Sequence, residues 1–196
     1  MGTILEEDFH LSYPFIFENN NEIYMIPETS QISEIRLYKC YEYPKKWKLE
    51  KILMKNISAA DTMLIKKDLT WFMLTNICSS NIDDHQSELH IFYSDNFLSE
   101  DWKPINQGNP VIFDSNNAIN GEVFYLKNKL YRINQIHAKA HYGKSFGINE
   151  IISLNKNNYC EKRLKQINPD FKNKIVGTHH FHENSEYSVI DYVRKV

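Results

Sequence analysis

Two acidic residues, Asp61 and Glu122, stand at matching places in this sequence, at the heads of the apolar runs "DTMLI" and "EVFYL". Hydrolysis of a glycosidic bond needs two carboxyl groups across the bond, one as acid and the other as base or nucleophile, about 5 to 9.5 Å apart. Asp61 and Glu122 are the pair that this sequence offers as catalytic residues. Groups able to hydrogen-bond a polyol lie at comparable strand heads: His10, Ser12 and Tyr13, then Asn120, then His179 and His180. Glu28, Arg132, Gln135 and Asp191 follow on or just after the second strands of the same hairpins, within reach of the same space. Together these ten residues form the candidate substrate-binding set. Asp61 also has a structural reading, as a turn residue whose carboxyl satisfies nearby backbone N–H groups.

The stretch "GTHHFHE" has the residue types of a metal site, with His179, His180 and His182 close together. No Cys or further His stands at a supporting spacing, so these imidazoles are read as structural or sugar-contacting, with no metal and no cofactor expected. There is no Walker loop, GxGxxG, GxSxG or HExxH. Nucleotide hydrolysis, dinucleotide binding, serine-hydrolase chemistry and zincin chemistry therefore have no support.

What would hold these residues in one place is a repeat. "YPFIFENNNEIYMIPE", "DTMLIKKDLTWFMLTN", "GEVFYLKNKLYRINQ" and "THHFHENSEYSVID" align on Tyr24, Trp71, Tyr131 and Tyr187. Each reads as strand, polar turn, strand, with the turns at Asn19-Asn20-Asn21, Lys67-Asp68, Lys127-Asn128 and Glu183-Asn184-Ser185. Behind the first two hairpins a second element recurs, since 33–53 matches 87–107 with Glu34 against Glu88, Tyr38 against Phe92 and Trp47 against Trp102. Units of about 40 to 60 residues, each a hairpin followed by two more strands, are the signature of propeller blades. Inner strands of all blades converge on the axis, so their heads share one cavity. Tyr24, Trp71 and Tyr131 alternate with apolar neighbours and are expected in blade-to-blade packing, as are Trp47 and Trp102; Tyr13 and Tyr142 are better placed to meet a ligand.

Composition narrows the classes further. With 23 Lys+Arg against 25 Asp+Glu and no long run of one sign, nothing attracts nucleic acid or anionic lipid. Three isolated cysteines, Cys40, Cys78 and Cys160, form neither a metal motif nor a complete disulfide framework. Glu6, Glu7 and Asp8 stand where a secretion signal would need a basic start, and the apolar runs are far short of the ~20 residues of a membrane span. A cytoplasmic protein is expected.

In sequence order, "HLSYPFIFENNNEIYMIPETS", "LYKC", "AADTMLI", "TWFMLTN", "LHIFYSDNFLSEDWKPINQGNPV", "NGEVFYLKNKLYRINQ", "YGKSFGINEI" and "GTHHFH" resemble the N-terminal domain of glucosamine inositolphosphorylceramide transferase, over about residues 5 to 192. The resemblance implies an all-β chain with the five-bladed propeller of glycoside hydrolase family 43. It also implies kinship with bacterial proteins in which the domain is joined to a formyltransferase-like one. In that family a first blade with an Asp-Pro-Phe motif precedes HLSYPF, and the base Asp of the related hydrolases lies there. Only nine residues precede His10. The expectation is thus one incomplete propeller over 1–196, of about three and a half to four blades, near 10–56, 57–113, 117–166 and 174–196. Where the family tends to have Ala-Gly-Arg, this chain has Asn120-Gly121-Glu122. Transferase activity in the plant proteins belongs to a separate C-terminal region. Three functions stay open: a sugar-binding domain, noncatalytic or catalytically incomplete, serving a glycosyl- or formyl-transfer system; a glycoside hydrolase using Asp61 and Glu122; or a scaffold whose open propeller edge recruits a protein partner.

Overall fold

A computed structural model describes residues 2–79, 85–138, 141–183 and 186–195. Their order is strand after strand, and the one helical element is a single 3-10 turn at Ser30–Ile32. No helix among them is long and apolar enough to cross a membrane.

The first sheet runs β1 (Ser12–Asn19), β2 (Glu22–Glu28), β3 (Glu34–Glu42) and β4 (Lys46–Lys55), each antiparallel to the next. The second has β5 (Ala59–Lys67), β6 (Thr70–Ile77), β7 (Glu88–Ser94) and β8 (Lys103–Pro104) in order, with β9 (Ile112–Phe113) also paired to β7. The third is β10 (Asn120–Leu126), β11 (Lys129–Ala138), β12 (His141–Leu154) and β13 (Tyr159–Ile167). Two short pairs follow, β14 (Ile175–Gly177) with β17 (Val193–Arg194), and β15 (Phe181–Glu183) with β16 (Ser188–Ile190). The described strands therefore make three whole blades and part of a fourth. Asn184 and Ser185 of the fourth turn lie outside the described residues.

Tight turns close the inner hairpins because their residues tolerate left-handed backbone. Asn20 and Asn21 have φ of 52° and 63°, Lys127 and Asn128 have 49° and 63°, and Asp68 has 56°. Two successive positive φ values give the type I′ turn, whose twist matches that of the flanking strands.

Burial follows position in the stack. β6, between two neighbouring sheets, is buried at every residue from Trp71 to Ile77, whereas β1 from Pro14 onward alternates exposed residues with the buried Phe15 and the half-buried Phe17 and Asn19. A strand covered on both faces is mostly apolar, and its two buried polar side chains, Thr75 and Asn76, are hydrogen-bonded, Thr75 to Thr62 and Asn76 to the Glu88 and Ala118 carbonyls. One continuous core runs through the three blades, joining Phe15, Tyr24 and Leu37 to Met63, Trp71 and Ile91 and on to Val123, Leu130 and Tyr159. Phe97 knits the first two blades, with ring centroids 5.0 Å from Trp71 and 5.1 Å from Tyr24.

The two tryptophans aligned by the repeat part company. Trp102 enters the blade-to-blade core, whereas Trp47 joins Met25, Tyr38 and Cys40 on the opposite face of the first sheet. There the N-terminal arm covers them. Leu5 packs on this cluster, Glu7 accepts a 2.7 Å hydrogen bond from the Tyr38 hydroxyl, and Phe9 lies 5.0 Å under the Arg36 guanidinium.

Candidate functional site

Each inner strand of the three whole blades begins with an irregularity. Register slips between Ser12 and Phe15 in β1, between Ala60 and Met63 in β5, and between Asn120 and Glu122 in β10. In the first two, the bulged residue has left-handed backbone, with φ of 41° at Tyr13 and 48° at Asp61. A bulge takes its residue out of the strand's two-residue alternation and re-aims the side chain. Tyr13, Asp61 and Glu122 thereby line a cavity of about 890 Å³, together with Ser12, Glu28 and Gln135. From the fourth blade fragment come His179, His180, His182 and Asp191. The His180 ring meets Tyr13 edge-on at 5.9 Å, so β1 and the segment leading into β15 touch across the cavity.

Four carboxyls sit in distinct surroundings. Glu28 accepts from the Ser12 hydroxyl at 3.0 Å and the Ser30 hydroxyl at 2.7 Å. Asp61 accepts from Gln135 Nε2 at 3.3 Å. Burial first, and the neighbouring Glu28 charge second, push the Asp61 carboxyl up to about 8. Asp61 is accordingly a neutral acid at pH 7. Glu122 is buried, accepts from the Val123 amide at 2.8 Å and bonds His182 Nδ1 at 2.5 Å. That bond raises His182 above the ordinary histidine value. At Asp191 burial would raise the carboxyl, but pairing with His179 Nδ1 and the backbone N–H groups of His179 and His180, at 2.9 and 2.8 Å, hold it down at about 2. His180 itself is lowered, chiefly by burial. Burial, then the Glu122 and Asp61 charges, push the Tyr13 phenol well above its usual value.

Two polar atoms on this wall are buried without a hydrogen-bond partner, the Tyr13 hydroxyl and Gln135 Oε1. Such an atom costs on the order of 1–3 kcal/mol until something bonds it.

Nine of the twelve residues singled out from the sequence thus meet at one cavity. Three do not. His10 is exposed, and its backbone N–H donates to Gln31 Oε1 at 2.6 Å; the bulge that turns Tyr13 inward leaves it outside. Asn120 is fully buried beneath the cavity floor, donating to the Asp61 carbonyl at 3.0 Å and accepting from Arg132 at 3.2 Å. Arg132, also fully buried, grips Glu161 with two bonds of 2.7 and 2.8 Å and donates to the Ala118 carbonyl. Its burial disfavours the charge, and Glu161 more than restores it. Thr62, next to Asp61, turns into the core and bonds Thr75 at 2.6 Å. The imidazoles of His179 and His182 go to different carboxylates, and no group of three metal-ligating side chains occurs among the described residues.

Tyr142 lies at the cavity because β12 extends beyond its counterparts. It stacks on His137 at 4.5 Å and meets His179 edge-on at 5.0 Å. Gly143, with φ of 65°, lets the strand approach the His179 ring: a Cβ there would come within 3.1 Å.

Known proteins with similar sequences agree on the family, and solved structures with similar folds on the architecture. A family profile described as "Glucosamine inositolphosphorylceramide transferase 1, N-terminal" matches residues 1–186. Glucosamine inositolphosphorylceramide transferase 1 of Arabidopsis thaliana is 33% identical over 165 residues, covering 82% of this chain and 21% of that protein. Its counterpart in Oryza sativa subsp. japonica is 34% identical over 165 residues, with 82% and 22% covered. The chain thus spans about a fifth of the length of these relatives. Among solved structures, a GH43_1 enzyme from Xanthomonas citri complexed with xylotriose has a TM-score of 0.64 at 7% identity, covering 97% of this chain and 68% of that one. An exo-beta-1,3-galactanase from Phanerochaete chrysosporium, bound to beta-1,3-galactotriose, also has a TM-score of 0.64, at 11% identity with 94% and 44% covered. These neighbours establish the fold as the propeller of glycoside hydrolase family 43.

Proposed function

The chain belongs to the family of the N-terminal domain of glucosamine inositolphosphorylceramide transferase 1, and from that premise we propose that its cavity binds a glycan or sugar for a glycosyl- or formyl-transfer system. The carrying observation is the pair of buried, unpartnered polar atoms, Tyr13 hydroxyl and Gln135 Oε1, on the wall of a cavity of ligand size. Hydroxyl groups of a sugar ring are both donors and acceptors and would pair with each. The rings of Tyr13 and Tyr142 supply apolar faces for the sugar's C–H surface. In the solved neighbours with the same fold, xylotriose and galactotriose are bound.

The test is titration of the full chain with xylotriose, beta-1,3-galactotriose and glucosamine-containing oligosaccharides, followed by NMR and calorimetry. Saturable binding that Asp61→Ala weakens is expected. Silence toward every glycan, or an Asp61→Ala chain indistinguishable from the parent, overturns the reading.

A second reading, glycoside hydrolysis, draws on Asp61 being a neutral acid at pH 7 beside the cavity that Glu122 also lines. It predicts turnover of a chromogenic glycoside that Glu122→Gln abolishes. Turnover indifferent to Glu122→Gln removes Glu122 from the reaction.

A further inference from the structure

Three of the four carboxyls at the cavity have both oxygens engaged by the protein. Glu122 is held by His182 and the Val123 amide, Asp191 by His179 and two backbone N–H groups, and Glu28 by the Ser12 and Ser30 hydroxyls. Asp61 differs. Gln135 Nε2 donates to its Oδ2, while Oδ1 has no hydrogen-bond partner and the carboxyl no cation among the described residues. A carboxyl in such a wall, with Glu28 beside it, takes up a proton. Oδ2 accepts from an N–H, so the proton sits on Oδ1, where a ligand in the cavity can accept it.

Two neighbours complete the set. Tyr13 is the bulged residue at the equivalent place one blade earlier, and its buried hydroxyl is unpartnered. Gln135 is 3% exposed, gives its Nε2 protons to Asp61 and the Asn120 carbonyl, and keeps Oε1 without a partner. The wall therefore presents two O–H donors and one carbonyl acceptor. A hydroxyl group accepts two hydrogen bonds and donates one. An ammonium has no lone pair for the donors, and a carboxylate or phosphate has no proton for Gln135 Oε1.

We propose that Asp61 meets the ligand as a protonated carboxyl, and that with the Tyr13 hydroxyl and Gln135 Oε1 it forms a socket that reads one unsubstituted sugar hydroxyl through three hydrogen bonds. This rests on the sugar-binding reading above and adds what the site reads and at which pH. Ionising Asp61 deletes a donor and sets a carboxylate against the bound oxygen. The titratable groups facing it are Glu28 on β2, Tyr13 on β1, Glu122 on β10 and Tyr142 on β12, with His179, His180, His182 and Asp191 beside β15. Both phenols are pushed up and stay protonated, and His180 is lowered and neutral.

Calorimetric titration of the full chain with xylotriose and beta-1,3-galactotriose at pH 7, 8 and 9 is the test. With binding confined to the protonated form and Asp61 at about 8, affinity should fall about tenfold from pH 7 to pH 9. In Asp61→Asn an amide N–H replaces the donor and cannot ionise; binding should be weaker than the parent's at pH 7 and vary less than about twofold over that range. His182, raised above the ordinary histidine value, is common to both proteins. Among monodeoxy forms of the trisaccharide that binds, one should lose about thirtyfold or more, because the missing hydroxyl leaves buried groups unpaired. Parent affinity equal at pH 7 and pH 9, an equal fall in Asp61→Asn, or a loss spread evenly over all deoxy positions overturns the socket and leaves sugar binding standing. No binding of either trisaccharide at any pH overturns both. Should Asp61→Asn fail to fold, infrared spectra of the parent decide: a protonated-carboxyl C=O band should be present at pH 7, shift when trisaccharide binds and fade toward pH 9, and a chain without that band overturns the proposal.

Discussion

Replacing Asp61 by Asn should make the protein more stable, and by an amount that grows with pH. Asn accepts the bond from Gln135 as Asp does, and it tolerates the left-handed backbone at φ 48°. The substitution therefore removes the ionisable proton and little else. In the unfolded chain the parent carboxyl ionises at its ordinary value of 3.8; in the folded chain it holds its proton up to about 8. Between those values the native state binds one more proton than the unfolded state, so the parent loses stability as pH rises, by about 1.4 kcal/mol per pH unit. Well below pH 3.8 the carboxyl is protonated in both states and the two proteins should match. At pH 7 the Asn variant should lead by on the order of 4 kcal/mol, and above pH 8 the gap should level off on the order of 6 kcal/mol. Urea unfolding of both proteins at pH 4, 5, 6, 7 and 8.5 measures this directly, because every other titrating group is shared. A difference constant to within about 0.5 kcal/mol across that range would mean that Asp61 is ionised when folded, and the account of its burial and of Glu28's repulsion would be wrong.

Three further outcomes follow from the same geometry. Arg132→Met should cost about 3–5 kcal/mol by leaving the largely buried Glu161 without its cation, with only the Tyr159 hydroxyl still donating to it, and adding Glu161→Leu should recover part of that loss; equilibrium unfolding of the single and double variants reads both. His182 should titrate above the usual histidine value in an NMR pH series and fall back in Glu122→Gln, since its contribution to stability is complete at low pH and lost as pH rises through the raised value. Tyr13→Phe deletes a buried hydroxyl that has no partner, so stability of the free protein should be unchanged or slightly higher while affinity for a bound glycan falls about fivefold or more; unfolding and titration separate the two effects.

The sequence disclosed the hairpins because their signals are local: Asn and Lys-Asn turns between alternating strands, repeated in register. Asp61 and Glu122 were legible for the same reason, as equivalent positions in successive repeats. Arg132 was not. It sits on a second strand as Gln135 does, but its charge is satisfied by Glu161 on β13, a pairing between distant strands that no local pattern records. His10 failed for a different cause, since the bulge that re-aims Tyr13 acts after His10 and leaves its side chain in solvent. Trp47 and Trp102 matched in the repeat yet face different neighbours, because the first sheet meets the N-terminal arm where the second meets another blade. Tyr142 depended on the extra length of β12, which has no counterpart in the other units to align with.

The bulges at Tyr13 and Asp61 also bear on how such a cavity can change over time. A residue in regular strand has its facing fixed by its neighbours, and a one-residue slip would turn it from solvent to core. The bulged residues are exempt from that parity. The blades beneath can exchange one apolar residue for another without swinging the cavity groups away, and the cavity can swap a phenol for a carboxyl without disturbing the stack. What binds and what holds the propeller together are written in separate positions of each strand, and each can drift while the other stays put.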